Sequence, residues 1–347
     1  MVSALNIPPP INQMDEKFRI AIEPEYVELY DKYHVGRLAY YEVPIEIHRK
    51  DPLKHAIMYG KEIVKFDGYT EDLKIPVEGG EILVRYYRPR DALEDETPRP
   101  ALVDFHGGGL VFGDIDSDDN YCKRVCRETG AVVFNVDYRL APEFPYPVPL
   151  NDSWEALQHI VGNAEKYGID KSKVAIVGSS SGGNLAAALA HRARDAGIKI
   201  CYQILCVPVC DATAVTHDWT AVAEDCPYPS WKENYNSPDL SFQFMSWLYQ
   251  YSLGNPRPAK YDSNPELNVV QSTNFKALAS AIIFTAEYDI LRDEAELYGK
   301  KLLENGVDCE VIRMAGAIHS FMDIDDFLET GKEYNRITID RLKKAFA

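Results

Sequence analysis

Residues 174–184 read VAIVGSSSGGN. An apolar run over 174–177 leads into Gly178, and a segment rich in small residues, GNLAAALAHRARDAG (183–197), follows. A buried strand, a sharp turn and a helix form the context that gives G-x-S-x-G a meaning. One framing fits: Gly178, Ser179, Ser180, Ser181, Gly182, with Ser180 central. Crowding explains the glycines. The central residue's backbone is forced into a strained turn, and strand and helix must approach closely around it. Ser180 then projects its hydroxyl above the carboxyl end of the strand. The N–H of Ser181, at the helix N-terminus, is placed to meet a developing oxyanion. A phosphate-binding glycine turn also follows a strand and opens a helix. The chain has neither the Lys of a P-loop after this turn nor a G-x-G-x-x-G.

Outward from this stretch, short apolar runs alternate with amphipathic segments. ALVDFH (101–106), AVVFNVDY (131–138), VAIVGS (174–179), CYQILCVPV (201–209), AIIFTAEYD (281–289) and CEVIRM (309–314) read as buried strands. SWEALQHIVGNAEKYG (153–168) and DEAELYGKKLLENG (293–306) read as helices, the second ended by Gly306. Such alternation predicts an α/β fold with a mostly parallel sheet and helices on both faces. Upstream, EIVKFDGYT (62–70) and EILVRYYRP (81–89) alternate like antiparallel strands around Gly79 and Gly80. Residues 211–272 carry no strand pattern and are rich in aromatics and proline. A segment of that length inside an α/β sheet reads as a lid. With residues 1–60 it is expected to form a helical cap over a core made of 61–210 and 273–347.

A serine hydroxyl needs a base, and the base needs an orienting carboxylate. Asp289 and His319 sit where AEYDILRDE and AGAIHSF leave the carboxyl edge of the sheet. The order Ser180, Asp289, His319 differs from those of chymotrypsin and subtilisin. Glu287 is expected inside the strand, and Asp293 as a helix cap. The other histidines fall in the expected cap, in helices or in a glycine loop. That loop, His106-Gly107-Gly108-Gly109, ends another strand, and the amides of Gly107 and Gly108 are the expected second and third oxyanion donors. His106 reads as a brace for it. Leu110, Val111 and Phe112 follow the loop and are expected to line the substrate site, with Trp231, Tyr235 and Trp247 of the cap as further candidates.

Composition narrows the class. The chain has 347 residues, 46% hydrophobic, and a formal net charge of −17. So acidic a surface disfavours nucleic acid and anionic membranes. The seven cysteines suit buried thiols in a reducing compartment better than a disulfide framework or a metal site. There is no signal-like start and no run of about 18 apolar residues, so a cytoplasmic protein is expected.

HGGGLVFGD (106–114), VDYRLAPEFPYPVPLND (136–152), GSSSGGN (178–184), AEYDILRDE (286–294) and HSF (319–321) together resemble the hormone-sensitive-lipase family of α/β-hydrolases, the bacterial type IV esterases. The resemblance implies an eight-stranded sheet, a helical cap and a carboxylic-ester hydrolase without cofactor, acting on a small-molecule ester; a covered, aromatic pocket is expected to favour short- to medium-chain acyl esters. It also implies an internal brace in 137–143, with Arg139 and Glu143 expected to pair. Dimerisation through an edge strand is a tendency of that family. Lactones, amides and carbamates are alternative substrates for the same triad. A non-catalytic receptor on this fold, such as the plant gibberellin receptors, lacks the histidine that His319 supplies here. The family usually has Asp or Thr before the nucleophile and Ala after it, where this chain has Ser179 and Ser181.

Overall fold

The computed structural model describes residues 11–51, 59–60 and 63–347. Eight strands form one sheet: β1 (Tyr69–Val77), β2 (Gly80–Arg88), β3 (Arg99–Phe105), β4 (Val132–Asp137), β5 (Ile169–Ser179), β6 (Tyr202–Cys206), β7 (Ser280–Ala286) and β8 (Cys309–Met314). Their spatial order is β1-β2-β4-β3-β5-β6-β7-β8. β1 pairs antiparallel with β2, and β2 antiparallel with β4. Every later pairing is parallel.

Period-two alternation divides the strands between two cores. Ala101, Val103 and Phe105 pack on one face with Val132, Phe134, Val174 and Ile176. Leu102, Val133, Ala175 and Val177 pack on the other. The longer helices are α1 (Pro24–Tyr33), α2 (Asp119–Thr129), α3 (Val148–Gly162), α4 (Ser181–Asp195), α5 (Phe242–Leu253), α6 (Arg292–Glu304) and α7 (Glu329–Phe346). α4 opens with a run rich in small residues, and its residues from Ser181 to Ala190 are buried. That lets it lie close on β5 and carry the Ser180 turn at its N-terminus.

Three expectations need correction. The first strand is Tyr69–Val77, not 62–70. The Glu78 and Gly79 turn joins Val77 directly opposite Gly80, so the register allows β2 to pair only with the nine residues before the turn. The segment beginning at residue 62 lies partly outside the described residues. The expected 153–168 helix starts five residues earlier as α3 and breaks before a short turn of helix at Ala164–Tyr167. Arg139 does not pair with Glu143. It grips buried Asp152 through Nε at 2.8 Å and Nη2 at 2.6 Å, while Glu143 meets Arg49 at 3.3 Å. Asp152 lies one helical turn inside α3, so this bond fastens the segment after β4 to that helix. Gly306 does follow α6 with φ 76°, as a helix-ending glycine should.

Between β6 and β7 lie a short helix (Ser230–Glu233), α5 and several 3₁₀ turns. Val215 and Val222 form an isolated bridge there. No helix among the described residues is long and apolar enough to cross a membrane.

Candidate active site

Ser180 stands between the end of β5 and the start of α4 with φ 54° and ψ −118°. Positive φ is uncommon for a residue with a Cβ and stores strain that its surroundings must enforce. Three backbone hydrogen bonds do so. Its N–H donates to the Cys206 carbonyl at 2.8 Å, and its carbonyl accepts from Asn184 and Val209, both at 3.1 Å. A Cβ at Gly178 would lie 2.1 Å from the Gly182 carbonyl oxygen, and one at Gly182 would lie 1.9 Å from that of Phe105. Only glycine fits at either position.

The His106-Gly-Gly-Gly loop lies against this turn. A Cβ at Gly107 would be 3.6 Å from the Cβ of Ser180. Val111 and Phe112 donate back to the Gly108 carbonyl at 3.0 and 2.8 Å, which curls the loop. Gly108 has φ 111°, and a Cβ there would strike the Phe112 carbonyl. Among the described residues, the amides of Gly107, Gly108 and Ser181 donate to no protein acceptor. Three N–H groups in the loop and elbow are thus without a protein acceptor. The Ser181 hydroxyl accepts the Leu110 N–H at 3.3 Å, linking loop and elbow. His106 is a brace, as expected. Its Nδ1 lies 2.7 Å from the Gly107 carbonyl, its ring stacks on Tyr138 at 4.2 Å, and Tyr138 donates to its carbonyl at 2.7 Å. Burial pushes its pKa down to about 4, so it stays neutral.

Asp289 and His319 come together. His319 Nδ1 lies 2.7 Å from Asp289 Oδ2, and the aspartate is fully buried. Asp289 Oδ1 accepts the Leu291 N–H at 3.0 Å, which fixes the carboxylate plane. Asp289 lies three residues past the end of β7 rather than at it. Burial works to lower the His319 pKa. The charge of Asp289 and its hydrogen bond, with further help from Asp239 and Asp323, outweigh burial and raise it. An Nδ1–H donated to Asp289 leaves Nε2 as the free basic nitrogen. Cys206, whose carbonyl holds Ser180, has its thiol pKa pushed up by burial, then by the charges of Asp323 and Asp289.

The rivals hold other posts. Glu287 is the first residue after β7, not within it, and accepts the Gly316 N–H at 2.8 Å. Asp293 sits inside the first turn of α6 and accepts the Ser230 N–H at 2.7 Å instead of capping its own helix. His217 meets Asp262 at 2.8 Å, but on an exposed part of the β6–β7 insertion. His34, His159 and His191 each pair with a tyrosine hydroxyl, and His55 lies outside the described residues.

The family described as alpha/beta hydrolase fold matches residues 102–323. An AB hydrolase superfamily protein of Schizosaccharomyces pombe is 33% identical over 96% of this chain and 97% of its own length. The chain belongs to the α/β-hydrolase family. The esterase LipI of Mycobacterium tuberculosis is 34% identical over 72% of this chain and 74% of its own. Among solved structures, an esterase of Pyrobaculum calidifontis is 35% identical, with a TM-score of 0.72 over 82% of this chain and 88% of that one.

The N-terminal segment meets the insertion between β6 and β7. Lys17 donates to the Glu233 carbonyl at 2.6 Å, Asn236 to Asp15 at 3.2 Å, and Tyr40 stacks on Phe244 at 5.6 Å. A cavity of about 310 Å³ opens between them, lined by Asp15, Tyr30, His34, Tyr40, Asp239 and Phe244 among others. Its lining includes none of Ser180, Asp289, His319, Leu110, Val111 and Phe112. Val111 is fully enclosed in the core, and Leu110 turns with φ 62°. Phe112 is half-buried and stacks on Trp247 at 5.7 Å, with Tyr40 at 6.0 Å. Trp231 is core, its indole donating to Glu294 at 2.9 Å, and Tyr235 stacks on Phe242.

Sequence reasoning missed Asn234, Ser237, Asp239 and Glu294. Asn234 donates to the Asp289 carbonyl at 2.9 Å, and Asp239 accepts the Ser320 N–H at 2.6 Å. The insertion has no periodic pattern that singles these residues out. Glu294 had a signal, since it is an acidic residue in the quoted AEYDILRDE.

Proposed function

We propose that the chain is a serine carboxylic-ester hydrolase with Ser180 as nucleophile, His319 as base and Asp289 as its orienting acid. The observation that carries this is the buried 2.7 Å contact between Asp289 and His319, on the sheet edge that also presents strained Ser180. His319 Nε2 takes the hydroxyl proton as Ser180 Oγ attacks the ester carbonyl. Asp289 stabilises the imidazolium without itself taking the proton. The N–H groups of Gly107, Gly108 and Ser181 receive the carbonyl oxygen as it becomes an oxyanion. His319 passes its proton to the departing alcohol, then activates a water that releases the acid and restores Ser180.

The ester class is supported by relatives named as esterases, LipI and the Pyrobaculum protein. The proposed preference is for short to medium acyl esters over long ones, tested by comparing p-nitrophenyl butyrate with the palmitate. The contacts between residues 15–40 and 233–244 support a cap made of the N-terminal segment and the insertion, over a core of 61–210 and 273–347. The free cysteines support a reducing, cytoplasmic setting. Pairing of two copies through an edge strand of the sheet follows the family tendency, and light scattering of the purified chain tests it.

The deciding experiment is Ser180→Ala. Hydrolysis of the butyrate ester should fall by about four orders of magnitude or more. Turnover at the native rate would overturn the assignment.

A further inference from the structure

We propose that Asp239, carried by the insertion between β6 and β7, is a positioning residue for His319: its carboxylate holds the loop bearing the imidazole and adds a second negative charge beside it. The inference rests on the triad reading above and deepens it. Asp239 lies in NSPDLS (236–241), just before α5. Its Oδ2 accepts the N–H of Ser320, the residue after His319, at 2.6 Å. That is a short, charge-assisted hydrogen bond. Two more bonds fasten the same stretch to the other triad loop. Asn234 Nδ2 donates to the Asp289 carbonyl at 2.9 Å, and Ser237 Oγ to the Tyr288 carbonyl at 2.8 Å. Three side chains within one six-residue stretch of the insertion thus grip the loops after β7 and after β8 together.

The charges around His319 come from three elements. Asp289 follows β7, Asp323 lies on the turn after His319, and Asp239 reaches in from the insertion. Asp239 in turn acts on Tyr26 and Tyr30 of α1 and on Tyr59. Asp15 and His34 line the same cavity, and no Lys or Arg does so among the described residues. Burial pushes the Asp239 pKa up, against the charge of His319 and the Ser320 N–H, which favour the carboxylate. A carboxylate there stabilises the imidazolium formed when the serine proton is taken, and so strengthens the base.

The test is the pH dependence of p-nitrophenyl butyrate hydrolysis by the wild type, Asp239→Asn and Asp239→Ala, with denaturant unfolding of each. The base works when neutral. Removing a nearby negative charge lowers its pKa, so the acid limb of kcat/KM moves to lower pH. Asp239→Asn keeps an oxygen for the Ser320 N–H and loses only the charge. The ratio of kcat/KM at about pH 5.5 to that at about pH 8 should rise about threefold. Asp239→Ala loses both, and kcat should also fall about tenfold with little change in KM. An acid limb left in place in Asp239→Asn overturns the inference, whatever happens to stability, and this variant decides if the alanine form does not fold. Ser180→Ala separates the two readings. If it is inactive while the limb does not move, the triad stands and the role of Asp239 falls. If it is active, the triad itself falls.

Discussion

Three adjacent serines have three different surroundings. Ser180 alone has positive φ, and its backbone is held from both sides. Ser179 ends β5 beneath Gly107, and Ser181 starts α4 with its hydroxyl under Leu110. Ser179→Ala and Ser181→Ala should therefore keep activity within about tenfold of native. The second gives up one hydrogen bond of 3.3 Å, worth about 1 kcal/mol. Equal loss of turnover in all three alanine variants would show that the elbow, rather than one hydroxyl, is what matters. The acid limb of kcat/KM should lie above the ordinary histidine value of about 6.5, because the carboxylates around His319 raise its pKa despite burial. A limb below that value would mean burial prevails.

The parallel core was legible at the scale of elements because each buried strand is a short apolar run. CEVIRM is β8 to the residue, and the Gly79 turn was found even though β1 was misplaced. Alternation continues upstream of β1, and only pairing through the turn decides which nine residues join the sheet. The residues of the proposed triad stood out in the sequence because they follow strands in a fixed order. The failures have a common cause. Arg139 reaches Asp152, and Asp239 reaches Ser320, across separations that no local pattern encodes. Glu294 is a third such link. Buried on α6, it accepts the amides of Cys210 and Asp211 at 2.7 and 3.1 Å and the Trp231 indole at 2.9 Å. It ties the root of the insertion to the core. Glu294→Ala strands three buried donors, so stability should fall by about 3 kcal/mol or more, read as a lower denaturant midpoint with unchanged slope. A midpoint equal to native would mean that water replaces the carboxylate.

The whole molecule carries a formal charge of −17, and the cavity between the N-terminal segment and the insertion adds Asp15 and Asp239 with no opposing Lys or Arg in its lining among the described residues. An ester bearing a carboxylate must approach against this field. Its kcat/KM should be lower than that of a neutral ester of equal size, and should climb with ionic strength as screening grows, while the neutral ester responds little. Equal salt dependence for both esters would remove charge from the account of selectivity. The central claim is more basic: a nucleophile, its base and a carboxylate from three distant parts of the chain act as one unit. Mass-spectrometric mapping of a fluorophosphonate adduct tests it most directly. The prediction is a single adduct on Ser180, largely lost in His319→Ala. A native chain that stays unlabelled, or is labelled on Ser179 or Ser181 instead, would contradict it.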